Sequence, residues 1–174
     1  MTGRAARAGR SIRTGLLVRL AICVAAALVS GCGDDSAGPQ PPMPDPFFPA
    51  NYLETYPLVR RCRLSIDHDS WHIRVYVNPE AFTAYTDSIY PFAESTVLVK
   101  PLYSDTTCTQ VVEYAVMRKG PPGTAPASAD WEWQRVGADR KVLESGQIQR
   151  CITCHRSCTN GRDYACTDPL PGDP

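Results

Sequence analysis

Two thiols and an imidazole stand together near the end of the chain, in Cys151-Ile152-Thr153-Cys154-His155. Cys-x-x-Cys-His is the spacing at which a c-type haem is attached. Each thiol can add to one vinyl group of the porphyrin, and the histidine directly after the second thiol can ligate the iron. On that reading Cys151, Cys154 and His155 hold one covalent haem c, with His155 as an axial iron ligand. The protein's task would then be to tune a redox-active metal porphyrin. In the cytosol the same Cys-x-x-Cys could be a redox dithiol or half of a zinc site.

The compartment therefore decides how the motif is read. Residues 1–31 carry Arg4, Arg7, Arg10, Arg13 and Arg19 and no acid, followed by an apolar run from Leu20 to Val29. A basic end, a short apolar core and small residues before a cut are the parts of a secretory signal. Leu28-Val29-Ser30-Gly31-Cys32 resembles a bacterial lipobox, in which cleavage leaves Cys32 as the lipid-bearing N-terminus. A membrane-spanning helix needs about 20 apolar residues, and this run has only about half that. The expectation is an exported protein, lipid-anchored to a bacterial membrane and facing the periplasm or the cell surface. Export removes five arginines and no acids, so 18 basic and 18 acidic residues become 13 and 18, a net charge of −5. That excludes nucleic acid as an expected partner, because its affinity comes from Lys and Arg neutralising phosphates.

Residues 32–49 form a Pro-rich tether, with Pro39, Pro41, Pro42, Pro44, Pro46 and Pro49. Such a segment cannot build a core and reads as an extended spacer. Residues 168–174 are a Pro-rich tail. Residues 50–167 are enough for one domain with a core. Ile73–Val77, Thr96–Lys100, Val111–Arg118 and Trp131–Val136 read as strands, the second stopped by Pro101. A turn over Gly137–Arg140 leads into Lys141–Leu143, and a long loop opens at Gly120-Pro121-Pro122-Gly123. Asn78-Pro79-Glu80 fits a short helix start, with Asn78 as cap and Phe82 and Tyr85 on one side. The fold class expected is mainly β (α+β): an antiparallel sheet with a few short helices and one covalent c-type haem.

Eight cysteines divide by context. Cys23 leaves with the signal, Cys32 takes lipid, and Cys151 and Cys154 take haem. Cys62, Cys108, Cys158 and Cys166 remain, an even number in an oxidising compartment. Three connectivities are open; Cys158–Cys166, with Asn160-Gly161 at its turn, and Cys62–Cys108 are favoured. The alternative puts Cys158 with Cys151 or Cys154 in a non-haem metal site, against which His155 argues.

An ordered set of segments resembles the cytochrome P-460 family, which includes the cytochrome c′-beta proteins. It comprises Val75-Tyr76-Val77-Asn78-Pro79-Glu80-Ala81, Thr96-Val97-Leu98-Val99-Lys100, Asp130-Trp131-Glu132-Trp133, Gly146-Gln147-Ile148-Gln149-Arg150 leading into the haem motif, and Asp163-Tyr164. The resemblance spans about residues 50–167. It implies a β-rich monohaem domain, usually a homodimer, with histidine on one side of the iron and an open or ligand-accessible other side.

In the hydroxylamine-oxidising members a lysine at the end of a Thr-Val-x-Val-Lys strand is bonded to the porphyrin edge. Here that lysine is Lys100. Attack on a porphyrin carbon requires a neutral amine, and desolvation beside an apolar macrocycle lowers a lysine pKa. Alternation puts Lys100 on the face of Thr96 and Leu98, opposite Val97 and Val99; a lysine at a strand end is otherwise solvent-facing. Pro101 departs from the acidic residue of that family site. The catalytic members also use a glutamate of the next strand as proton acceptor, and Glu113 is the only carboxylate on Val111–Arg118. Met117 is an alternative sixth ligand, although methionine in an apolar strand more often fills a core. His68 and His72 lie in a polar stretch and are expected at the surface. Phe82 and Phe92 are candidates to cap the iron face, and Trp131 and Trp133 alternate onto one face as core or dimer interface.

Three functions follow from these residues. One is hydroxylamine oxidation at a lysine-modified haem, with electrons passed to a soluble redox partner. The second is uptake of nitric oxide or another small gas without turnover. The third is electron transfer by a tethered six-coordinate cytochrome using Met117, His68 or His72.

Overall fold

The structure, a computed structural model, describes residues 42–167. The expected signal, Cys32, most of the tether and the tail lie outside the described residues. Six strands form one antiparallel sheet in chain order: β1 (Leu58–Ser65), β2 (Trp71–Val77), β3 (Val97–Tyr103), β4 (Val111–Lys119), β5 (Trp131–Gly137) and β6 (Val142–Gly146). Short helices accompany them: α1 (Tyr52–Thr55) before β1, α2 (Phe82–Thr86) between β2 and β3, then α3 (Gln149–His155) and α4 (Thr159–Arg162) after β6. This is the mainly β architecture with a few short helices that the strand patterning implies.

Period-two alternation gives the sheet two apolar faces. Val75 and Val77 of β2, Leu98 and Leu102 of β3, Met117 of β4 and Trp131 and Trp133 of β5 pack on the first face. Tyr85 of α2, Ile148, Ile152 of α3, and Tyr164 cover them. Tyr76, Val97, Val99, Tyr114, Val116 and Val136 face the other way, beneath Phe48 and Tyr52. The rings of Tyr52 and Tyr76 meet edge-on, 5.3 Å between centres. Gln134, 1 % exposed, ties the N-terminal segment to this second face. Its Oε1 accepts from Phe47 N at 2.8 Å and its Nε2 donates to the Asp45 carbonyl at 3.0 Å. A buried amide is tolerated there because both ends are hydrogen-bonded.

Besides Phe48, read as part of the tether but 2 % exposed in the second-face core, the strands and turns depart from the sequence reading in three places. β1 was not expected, since Arg60, Arg61 and Arg63 interrupt its apolar pattern. It survives as an edge strand with β2 as its sole strand neighbour, where the exposed Arg61 and Arg63 are tolerated, while Arg60 is buried. The second departure is Pro101, expected to stop β3, which continues through it to Tyr103. On the β4 side Pro101 pairs with Tyr114. On the β2 side the ladder pairs Ile73 with Leu102 and Tyr76 with Val99 and skips the two positions between, so the missing N–H falls in a gap. Third, Asn78 does not cap a helix by its side chain. Its Oδ1 accepts from Val97 N at 2.8 Å and its Nδ2 donates to the Ser95 carbonyl at 3.2 Å. The amide therefore joins the end of β2 to the start of β3, and Pro79–Ala81 forms a 3-10 turn ahead of α2.

Cys62–Cys108 links β1 to the turn before β4, and Cys158–Cys166 closes the C-terminal segment. Cys158 is thereby withdrawn from any metal site with Cys151 and Cys154.

Candidate functional site

α3 is two turns long, with the Ile148 carbonyl accepting from Ile152 N at 3.1 Å and Ile152 buried in the first-face core. Burial of Ile152 sets the rotation of the helix. Residues three and four apart share a helix face, so Cys151, Cys154 and His155 come together on the side lining a cavity of about 560 Å³. The two thiols are unbonded, Cys151 half-buried and Cys154 exposed.

His155 is 7 % exposed. Its Nδ1 lies 2.8 Å from the Tyr164 carbonyl oxygen. A carbonyl can only accept, so Nδ1 carries the proton and Nε2 keeps its lone pair, the arrangement that orients a metal-ligating histidine. Burial pushes the His155 imidazolium down to about 4, with Lys100 adding to the shift and Tyr164 opposing it.

The carbonyl that orients His155 belongs to a heavily braced segment. Asp163 and Tyr164 both adopt left-handed backbone, φ 47° and 67°. Such strain in non-glycine residues persists only where surrounding contacts over-determine it. Lys119, at the end of β4, donates to both Asp163 carboxylate oxygens at 2.8 and 2.7 Å. Asp163 Oδ2 also accepts from Phe92 N at 2.9 Å, and Trp131 Nε1 donates to the Asp163 carbonyl at 2.7 Å. Tyr164 Oη donates to the Ala127 carbonyl at 3.0 Å. Lys119 was absent from the sequence-derived site. Its signal there was slight: a lysine closing an apolar strand, 44 residues before its aspartate.

Across the cavity, Leu98, Lys100 and Leu102 point in from β3, as alternation requires. Lys100 is half-buried rather than solvent-facing. Burial lowers its ammonium to about 8; Cys154 and Asp67 oppose that shift and Arg63 adds to it. Glu113 also lines the cavity, but its carboxylate accepts from both Nε and Nη2 of Arg135 on β5. Met117 is buried at the cavity wall. Phe92 is buried elsewhere, edge-on to Trp131 at 5.8 Å, and neither it nor Phe82 lines the cavity. Trp131 and Trp133 are core residues of the first face. His72 stays half-buried on β2, outside the cavity lining.

His68 corrects the sequence reading. Expected at the surface, it is half-buried in the turn after β1 and lines the cavity. Burial holds its imidazolium down at about 3, with Lys100 and His155 adding to the shift. A polar local sequence hid it, because the fold turns that stretch over the sheet.

The cavity residues suit a haem. Val75, Leu98, Leu102 and Ala115 offer apolar walls, and two free thiols and an unprotonated Nε2 face the same space. Trp133 Nε1 is buried with no hydrogen-bond partner among the described residues, its ring centre 6.2 Å from that of His155. Buried N–H groups are seldom left unpaired, and a group with acceptor atoms in the cavity would satisfy this one. Among the described residues no cluster of three or more His, Cys, Asp or Glu side chains could hold a bare metal ion. In comparison with known proteins, the Cytochrome P460 family model matches residues 51–167. No curated protein matches the chain.

Proposed function

The chain belongs to the cytochrome P460 family and is accordingly a haem-binding cytochrome; on that premise we propose that it oxidises hydroxylamine, passing electrons to a soluble acceptor. Cys151 and Cys154 would hold the porphyrin through thioethers, and His155 Nε2 would ligate the iron. A haem iron supplies a redox-active centre that coordinates a nitrogen lone pair and releases electrons singly. The chain contributes a fixed axial imidazole, apolar walls that exclude water, and the amine of Lys100.

The observation that carries this reading is the position of Lys100, on the cavity-facing side of β3 with both thiols and His155 lining the same space. The Lys100 amine would bond to a porphyrin carbon: one N–H and one C–H bond would give way to one N–C bond, with two protons released and two electrons taken by two equivalents of an oxidised one-electron redox protein. Peptide mass spectrometry of the purified protein tests it. The Lys100 peptide is expected joined to the haem peptide containing Cys151 and Cys154, two hydrogens lighter than the sum of the parts. A free Lys100 peptide, with haem on the cysteines alone, overturns the cross-link.

One observation favours a second reading, uptake of nitric oxide or another small gas without turnover. Glu113, the carboxylate expected to accept protons, is held in a two-point ion pair by Arg135. A base so engaged is poorly available for proton transfer. Spectral change with nitric oxide without hydroxylamine consumption would favour this reading.

We also infer export, lipidation at Cys32 and a homodimeric state. The two disulfides of the domain support an oxidising compartment. Fatty-acid labelling is expected in the full chain and absent from Cys32→Ala, and the detergent-solubilised protein is expected to sediment as two chains.

A further inference from the structure

One cavity-facing imidazole has no part in the chemistry above. His68 sits in the turn joining β1 to β2, which is closed by Trp71 N donating to the His68 carbonyl at 3.0 Å. Its Nδ1 lies 3.1 Å from Ser65 Oγ. With Nδ1–H donating to that hydroxyl, Nε2 carries the lone pair. His155 is held in the same way, from behind through Nδ1. Both imidazoles line one cavity, with ring centres 6.4 Å apart and planes at 87°.

That separation matches a shared metal. With the two nitrogens in line on opposite sides of a metal, bonds of about 2.0–2.1 Å to each, plus about 1.2 Å from each nitrogen to its ring centre, would put the centres about 6.4–6.6 Å apart. We propose that His68 Nε2 is the second axial ligand of the haem iron, so that the resting site is six-coordinate with two histidines. The proposal rests on the haem c reading of the site and is independent of hydroxylamine oxidation.

Competing ligands are less well placed. Met117 projects from the middle of the sheet within the apolar cluster, the packing expected of a core-filling methionine. His72 does not reach the cavity lining. The backbone around His68 fits a held position: Asp69 and Ser70, directly after it, both adopt left-handed backbone, φ 53° and 59°. Strain of this kind collects at ligand clamps and switch regions. Ile66, Asp67, Asp69 and Ser70 around it are exposed, so the turn faces solvent. Any added ligand must then displace His68, so binding saturates at the rate of His68 release.

The test uses the purified full chain with its covalent haem, verified by resistance to acidified-acetone extraction. The ferric protein is expected to give a low-spin absorption and electron paramagnetic resonance spectrum. The ferrous protein is expected to bind carbon monoxide at a rate that levels off with gas concentration. His68→Ala is expected to turn the ferric iron high-spin, and added imidazole to restore the low-spin spectrum. If the open form is at most about a tenth of the population, that variant binds carbon monoxide about tenfold faster or more. Met117→Leu is expected to stay low-spin. A wild-type protein that keeps covalent haem yet is high-spin and binds carbon monoxide without saturation overturns the proposal and leaves the haem reading intact. So does a low-spin His68→Ala. A chain without covalent haem overturns both.

Discussion

Replacing Cys151 and Cys154 together with serine, in a Lys100→Met background that removes the proposed third bond, is expected to abolish covalent haem attachment completely. These are the two unbonded thiols among the described residues, the other four described cysteines being paired in disulfides. Serine is near in size and cannot form the thioether. Cys154 is exposed and Cys151 half-buried, so neither change empties a packed core and the sheet is expected to fold. His155 keeps its hydrogen bond to Tyr164, so the imidazole can still ligate added haem, which denaturation should then release. Intact-chain mass and haem staining after denaturing electrophoresis make the measurement. Haem that stays bound through denaturation in that variant would show that another side chain carries it. Either single variant is expected to retain haem through one thioether.

Lys119→Met is the second large effect. Lys119 and Asp163 are 9 % and 6 % exposed at the side chain and make a two-point pair. Removing one partner strands a buried carboxylate, which costs about 3–5 kcal/mol. The surface pairs behave differently. Lys141–Asp139 is 82 % and 56 % exposed, and solvent screening leaves such pairs with little effect on stability. Urea denaturation of the two lysine variants therefore separates buried from screened electrostatics in one protein. Asp163→Asn keeps a residue type tolerant of left-handed backbone. Its combination with Lys119→Met is expected to cost less than the sum of the single changes, because the pair acts as a unit. A cost below about 1 kcal/mol for Lys119→Met would mean that solvent reaches the pair. In the haem-loaded protein the variant is also expected to shift the redox potential, because the segment that orients His155 loses its brace. A structural role confined to the core would leave the potential unmoved.

Most of the strands were legible because their apolar residues alternate: Val97 and Val99 against Leu98 read the same in sequence and structure. β1 was not legible. Arg60, Arg61 and Arg63 break the apolar alternation, and pairing to β2 and the Cys62–Cys108 disulfide hold the strand. Pro101 misled for a related reason. Proline disrupts a strand where its N–H is needed, and only the β2–β3 register shows that here it is not.

The same division runs through the site. Sequence alone determined what depends on neighbours along the chain: the spacing that sets Cys151, Cys154 and His155 on one helix face, and the side of β3 from which Lys100 projects. Those follow from helical and strand periodicity, which need no knowledge of distant residues. Tertiary structure decided the rest. It chose one disulfide pairing among three, tied Glu113 to Arg135, set Lys119 against Asp163 and turned His68 toward His155. Each joins groups on different elements, 8 to 87 residues apart. Their meeting is fixed by strand register and by the burial that sets each turn over the sheet, quantities summed over the whole core and absent from any local pattern.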